Sequence, residues 1–200
     1  MSDLKFVHIP KTGGTSIENA AKELGINWGK YERQNQYLIH GINKWHTPQR
    51  IEGVVFCVVR NPYERILSNF RHLHQITQYK VDILNTWIPK ILQQVKENPY
   101  LRDAHFLQQS EYAQHCDIHL LYNDLQRELD WVCDLHGAPK MVLPHHFGGP
   151  EQDIKRGGQE YYQFVIEDIS SENLGLIKEF YSKDFELFDK VYQEWLQRHV

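Results

Sequence analysis

Apolar positions along the chain fall into short continuous runs that alternate with stretches of helical periodicity. Leu4 to Ile9 is one such run, and it stops at Pro10, which has no N–H to give a sheet ladder; it reads as a buried strand. Past the polar residues that follow, Ile17, Ala20, Ala21 and Leu24 recur at helical spacing, with Gly25 placed as a C-terminal cap. The run from Gly53 to Val59 is β-branched and unbroken, as a central parallel strand covered on both faces requires. Asn61 as N-cap, Pro62 at the first helical position and Glu64 in the first turn start a helix whose apolar face is Ile66, Leu67, Phe70 and Leu73.

Further on, a weaker periodicity from about Val81 to Lys96 is interrupted by Pro89 and predicts two short helices. Ile118 to Tyr122 is a third strand candidate, followed by a helix carrying Leu125, Leu129, Val132 and Cys133. Met141 to Leu143, stopped by Pro144, predicts a short edge strand, and Gln36 to Ile39 is a brief extended candidate. His145 to Gly158 reads as a long loop, and two helices close the chain, with Ser170 or Ser171 as the cap of the first. Strands alternating with helices predict an α/β fold with a central, mostly parallel sheet flanked by helices.

Two hundred residues is the size of one ordinary domain, so the expectation is a single unit over 1–200. A net charge of −4 argues against a general nucleic-acid binder and makes any basic site local. Cys57, Cys116 and Cys133 show neither CxxC spacing nor an even count, which predicts reduced thiols and a cytoplasmic chain. Met1 to Leu4 leads directly into the first strand, and no apolar run approaches the roughly 20 residues that cross a bilayer, so no signal peptide and no membrane association are expected.

Candidate chemistry begins where the first strand ends. His8-Ile9-Pro10-Lys11-Thr12-Gly13-Gly14-Thr15-Ser16 is a strand–loop–helix turn that aims helix N–H groups and a positive dipole end at the space above the strand. An anion fits there. Gly13 and Gly14 let the backbone approach it closely, Lys11 adds charge, and Thr12, Thr15 and Ser16 add hydroxyls. The alternative is a plain tight turn with a solvated lysine. A nucleotide triphosphatase loop places its Lys after the glycines and a hydroxyl directly after Lys; here Lys11 precedes them, so that loop is not present. Arg60 stands at the C-terminal end of the strongest strand, where open α/β sheets bind ligands.

Together, His8 to Ser16 and Val59-Arg60-Asn61-Pro62-Tyr63-Glu64-Arg65, with Ser68 three residues on, closely resemble the sulfotransferases that use 3′-phosphoadenosine 5′-phosphosulfate (PAPS). The likeness is greatest to the carbohydrate branch that includes heparan sulfate 2-O-sulfotransferase. Weaker similarity continues through Phe106 to Tyr112 and Lys183 to Phe188. The resemblance implies a P-loop-like three-layer fold, one sulfotransferase domain over 1–200, and PAPS as donor with adenosine 3′,5′-bisphosphate as product. It assigns the 5′-phosphosulfate to Lys11, Thr12, Gly13, Gly14, Thr15 and Ser16, and the 3′-phosphate to Arg60 and Ser68. It implies no metal and, from the carbohydrate branch, a hydroxyl acceptor on a saccharide.

Sulfuryl transfer needs an in-line nucleophile, an orienting cradle and a stabilised leaving oxygen, which makes Lys11 the natural partner of the leaving phosphate. An alcohol acceptor also needs a base, and a neutral imidazole has a suitable pKa range. His46 lies in the interval where relatives carry their catalytic histidine, and His40 competes with it. Lys155-Arg156-Gly157-Gly158 loosely resembles a basic nucleotide-closing motif and reads equally as a solvated turn. Two other functions stay open at this point: a kinase or nucleotide triphosphatase on the same sheet architecture, and a catalytically silent nucleotide-binding protein.

Overall fold

The computed structural model describes residues 3–29, 46, 48–74, 80–144 and 164–200. Three parallel strands, β1 (Leu4–Phe6), β2 (Val54–Val59) and β3 (Ile118–Leu121), form a sheet in the order β1-β2-β3. Leu4 pairs with Val54 and Phe6 with Phe56, while Phe56 to Val59 pair with Ile118 to Leu121. The strongest apolar run is therefore the central strand, as its composition requires. Side-chain alternation on β2 divides the core. Phe56 and Val58 face α1 (Gly14–Glu23) and α5 (Leu125–His136), through Ile17, Ala20, Ala21, Leu129 and Val132. Val55, Cys57 and Val59 face α4 (Gln109–Ala113) and α7 (Ser182–His199), through Tyr112, Ala113 and Val191. The result is the expected three-layer α/β arrangement.

A second body of apolar side chains lies beside the sheet. It joins α2 (Pro62–His74), α3 (Val81–Glu97) and α6 (Ser171–Phe180) through Ile66, Phe70, Leu84, Ile88 and Ile177. Helix α2 starts as its sequence predicts: Asn61 Oδ1 accepts from Tyr63 N at 2.9 Å and Asn61 O from Arg65 N at 2.9 Å. At the far end of the chain, the carboxylate of Glu128 is fully buried and accepts from Leu121 N and Arg198 Nη2, with His199 Nε2 at 2.6 Å. That carboxylate fixes the C-terminal helix to the edge of β3.

Two expectations are corrected. Val81–Glu97 is one helix, with Pro89 inside it, rather than two short ones. A proline at position 89 removes the N–H that would bond Asn85 O, four residues earlier. Asn173 Nδ2 from α6 replaces it at 2.9 Å, so the orphaned carbonyl is satisfied across the helix pair and the helix continues. Residues Met141 to Leu143 form no strand. Their backbone is taken instead by one side chain on α5: Gln126 Nε2 donates to Met141 O and Gln126 Oε1 accepts from Leu143 N. The extended candidate at Gln36 to Ile39 and the loop from His145 to Gly158 lie outside the described residues.

Asn173→Ala should therefore lower unfolding stability by about 1–3 kcal/mol, the usual cost of stranding a buried polar group. In a Pro89→Ala background, position 89 regains its own N–H and the same substitution should cost distinctly less. A urea-denaturation double-mutant cycle measures this; strictly additive effects would contradict the assignment.

Candidate active site

The first strand extends its ladder one residue beyond β1, through Val7 N to Phe56 O at 2.9 Å, and then turns. Lys11 (φ 69°) and Gly13 (φ 86°) both take left-handed backbone angles, and Gly13 is the N-cap of α1. Ser16 N and Ile17 N both donate to Gly13 O, while Gly14 and Thr15, at the start of the helix, have no intrahelical acceptor. No acidic side chain occupies the first turn, so the positive end of the dipole is not offset there. Thr15 and Ser16 are partly exposed. Thr12 is fully buried and its hydroxyl donates to Ile9 O at 2.8 Å, closing the loop on itself.

The glycines answer to packing as much as to any ligand. A Cβ on Gly13 would lie 2.8 Å from Leu125 Cδ2, and one on Gly14 would overlap His8 Cδ2. His8 is itself held by Glu18 on α1, with Nδ1 to Oε1 at 3.0 Å. The imidazole therefore lies flat against the helix start and leaves no room for a side chain at position 14.

Arg60 closes the second side of the site at the end of β2. Its guanidinium lies 4.1 Å above the ring of Tyr122, which follows β3, and bonds Glu64 Oε2 through Nε and Lys11 O through Nη1. The ends of all three parallel strands meet here. Ser68 is partly buried on α2, one helical turn beyond Glu64. His40 and Lys155 to Gly158 lie outside the described residues.

His46 is buried and joins a group of imidazoles. Its ring stands edge-on to His8 at 5.0 Å between centroids and to His105 at 5.6 Å, and His72 stacks on His105 at 5.4 Å. Burial drives the His105 pKa down to about 3, reinforced by the positive charges of His46, Lys11, His72 and Arg65. The same two causes, burial first and then Lys11, lower His72. His46 Nδ1 lies 2.9 Å from Asp103 Oδ2 and 3.2 Å from Asp103 O. Asp103 sits in a left-handed turn in which Arg102, Asp103 and Ala104 have φ of 55°, 58° and 58°. Such a conformation costs roughly 1–2 kcal/mol for each residue that is not glycine.

Several of these residues were not legible as site residues. Gln109 holds the backbone of Arg60 at both groups, with Arg60 N to Oε1 at 3.0 Å and Nε2 to Arg60 O at 2.8 Å. Asp184 on α7 caps the start of α4 by accepting from Gln109 N and Ser110 N. Burial pushes the Asp184 carboxyl up, against the opposing pull of Arg65 and of those two N–H groups. The two stretches of weaker similarity, Phe106 to Tyr112 and Lys183 to Phe188, thus meet through Gln109 and Asp184. That similarity was the available signal, and it carried no roles.

A strand–loop–helix turn of this kind, at the edge of a parallel sheet, belongs to a recognisable class. The family model described as Sulfotransferase family matches residues 2–193, and the chain belongs to that family, one of transferases. Comparison with curated proteins and with solved structures finds no match. Among the described residues, no helix is long and apolar enough to cross a membrane, and no group of three or more His, Cys, Asp or Glu is arranged to hold a metal ion.

Two outcomes test this geometry. Gly14→Ala should destabilise the fold by about 1–3 kcal/mol through overpacking against His8, and His8→Ala should recover part of that loss; equal stability of Gly14→Ala and wild type would contradict the packing. His105 titrates near 6.5 when unfolded and near 3 when folded, so the unfolded chain binds the extra proton. Its contribution is intact above about pH 6.5 and is lost as pH falls toward 3. His105→Gln should flatten the decline in stability across that window by up to about one proton, or roughly 1.4 kcal/mol per pH unit. An unchanged slope in a urea series at successive pH values would contradict it.

Proposed function

We propose that this chain transfers the sulfuryl group of PAPS to a hydroxyl on a carbohydrate acceptor. Family membership supports sulfuryl transfer in general, and the His8 to Ser16 and Val59 to Arg65 motifs support the donor and the carbohydrate branch. The observation that carries the reading is the convergence, at one edge of a parallel sheet, of the α1 N-terminus, Lys11 and the Arg60 guanidinium, close to a set of imidazoles.

The donor set suits a ligand with two separated anionic groups. The N–H groups of Gly14 and Thr15, the hydroxyls of Thr15 and Ser16, and Lys11 receive the 5′-phosphosulfate end. Thr12, with its proton committed to Ile9, contributes through its backbone. Arg60 takes the 3′-phosphate with Ser68, exchanging part of its contact with Glu64 for a bidentate phosphate contact. The donor supplies an activated sulfuryl group on a phosphate that can leave. In transfer, the acceptor oxygen bonds to sulfur as the bond from sulfur to the bridging oxygen breaks, and the electron pair remains on that oxygen. Lys11 stabilises the charge that grows there, and His46 accepts the proton from the acceptor hydroxyl. The reading needs no metal ion. All three cysteines are free thiols, which agrees with a cytoplasmic location.

Incubation with ³⁵S-labelled PAPS and a panel of saccharides tests the reading. Label should pass to the acceptor in the presence of a chelator, whereas label transfer that the chelator abolishes would contradict the metal-free chemistry. His46→Ala should lower kcat by about 10² to 10⁴ while bisphosphate binding holds. A dead His40→Ala beside an active His46→Ala would move the base to His40. Lys11→Ala should reduce kcat more than it weakens product binding, because the charge it meets develops only during transfer; undiminished turnover would remove it from the mechanism.

A further inference from the structure

The left-handed turn at Arg102 to Ala104 is costly, contains no glycine or asparagine, and is held from several directions. Arg65 Nη2 and Asn69 Nδ2 both donate to His105 O, at 3.0 and 3.1 Å, and the Tyr112 hydroxyl donates to Ala104 O at 3.3 Å. Each donor is buried: Arg65 is 3% exposed, Asn69 1% and Tyr112 0%. Backbone strain maintained by this many buried donors is a feature of functional sites. What the turn delivers is Asp103, with both its carboxylate and its carbonyl oxygen facing Nδ1 of His46.

A backbone carbonyl only accepts, and an ionised carboxylate only accepts, so the nitrogen facing both must carry the proton. In the neutral ring, Nε2 is then the unprotonated, basic nitrogen. We propose that Asp103 is a positioning residue for His46: it fixes the Nδ1–H tautomer and the ring orientation, and its negative charge stabilises the imidazolium formed when Nε2 takes a proton. This rests on the sulfuryl-transfer reading for its use, with His46 as the base, but not for its geometry. Among the described residues, the rings of His8 and His105 lie edge-on to His46, His8 is bonded to the Glu18 carboxylate, and His105 in turn faces Lys11, His72 and Arg65. One carboxylate, Glu18, reaches this group through His8, and Asp103 is the one in direct hydrogen-bond contact with His46 that can meet the charge of its protonated ring. The proton balance is simple: one proton passes from the acceptor hydroxyl to His46 Nε2, and Asp103 keeps its charge throughout.

The test uses the full chain with ¹⁵N-labelled histidine, at a pH where the imidazoles are neutral. Wild-type His46 should show a protonated Nδ1 and an unprotonated Nε2. Asp103→Gly suits the φ of 58° and should fold normally; with only the longer contact to the backbone carbonyl left facing Nδ1, the Nδ1–H tautomer should lose its dominance, and kcat should fall by about 10- to 100-fold with bisphosphate affinity unchanged. Asp103→Asn keeps an acceptor oxygen without the charge, so it should restore the tautomer and recover only part of the turnover. A wild-type His46 protonated on Nε2, or a ring signature unchanged in Asp103→Gly, overturns the assignment. So does a changed tautomer with unchanged turnover. If the wild-type chain transfers no sulfuryl group to any acceptor, the functional reading fails, and the tautomer alone still decides whether Asp103 positions His46.

Discussion

The arrangement depends on one buried cation. Arg65, at the end of the first turn of α2, is 3% exposed, and its guanidinium donates to Pro10 O at 3.0 Å and to His105 O at 3.0 Å. Those carbonyls belong to the turn before α1 and to the segment that presents Asp103, so one side chain sets the distance between the proposed anion site and the proposed base. Its charge faces Asp184 at 3.8 Å, too long for a hydrogen bond but with little water between to screen it. Asp184 in turn caps α4, and α4 holds the Arg60 backbone through Gln109. Two buried charges left without each other would cost about 3–5 kcal/mol, so the pair enforces geometry even where its net contribution to stability is small.

The same economy appears around the first loop. Its positive end needs no acidic partner in the first turn of α1, and the positions beside its glycines are already filled by His8 and Leu125. The loop is thus held by its own packing, which would leave little ordering to be done for the proposed anion. Arg60 is likewise pre-placed, between Tyr122 below and Glu64 beside it. The proposed phosphate contact would draw that guanidinium partly away from Glu64 while Tyr122 still supports it.

Much of this fold could be read from local pattern. The run from Val54 to Val59 is apolar on both faces because both faces are covered, and Asn61-Pro62 starts α2 because cap chemistry acts within a few residues. What escaped the reading depends on partners far away in sequence. Pro89 breaks a helix unless Asn173, on a helix 84 residues later, replaces the lost donor. Met141 to Leu143 has the pattern of a strand, yet the side chain of Gln126 takes its backbone groups. Lys11 and Arg60 lie side by side, and motif position reports on the strand ends that place them. Asp103, His105, Gln109 and Asp184 were not assigned roles, since no spacing rule announces a left-handed turn at Arg102 to Ala104 or a carboxylate that caps a helix 75 residues away. His46 was singled out by position, and its carboxylate partner, 57 residues on, became visible only in three dimensions.

In the proposed function, the turn after β1 and the arginine after β2 together bind a nucleotide through two separate phosphates. Titration calorimetry with adenosine 3′,5′-bisphosphate and with adenosine 5′-monophosphate tests it most directly. The bisphosphate should bind more tightly by about 2 to 4 kcal/mol, a difference that collapses in Arg60→Ala because a desolvated, charge-assisted contact has been removed. Equal affinity for the two nucleotides in the wild-type protein would contradict it.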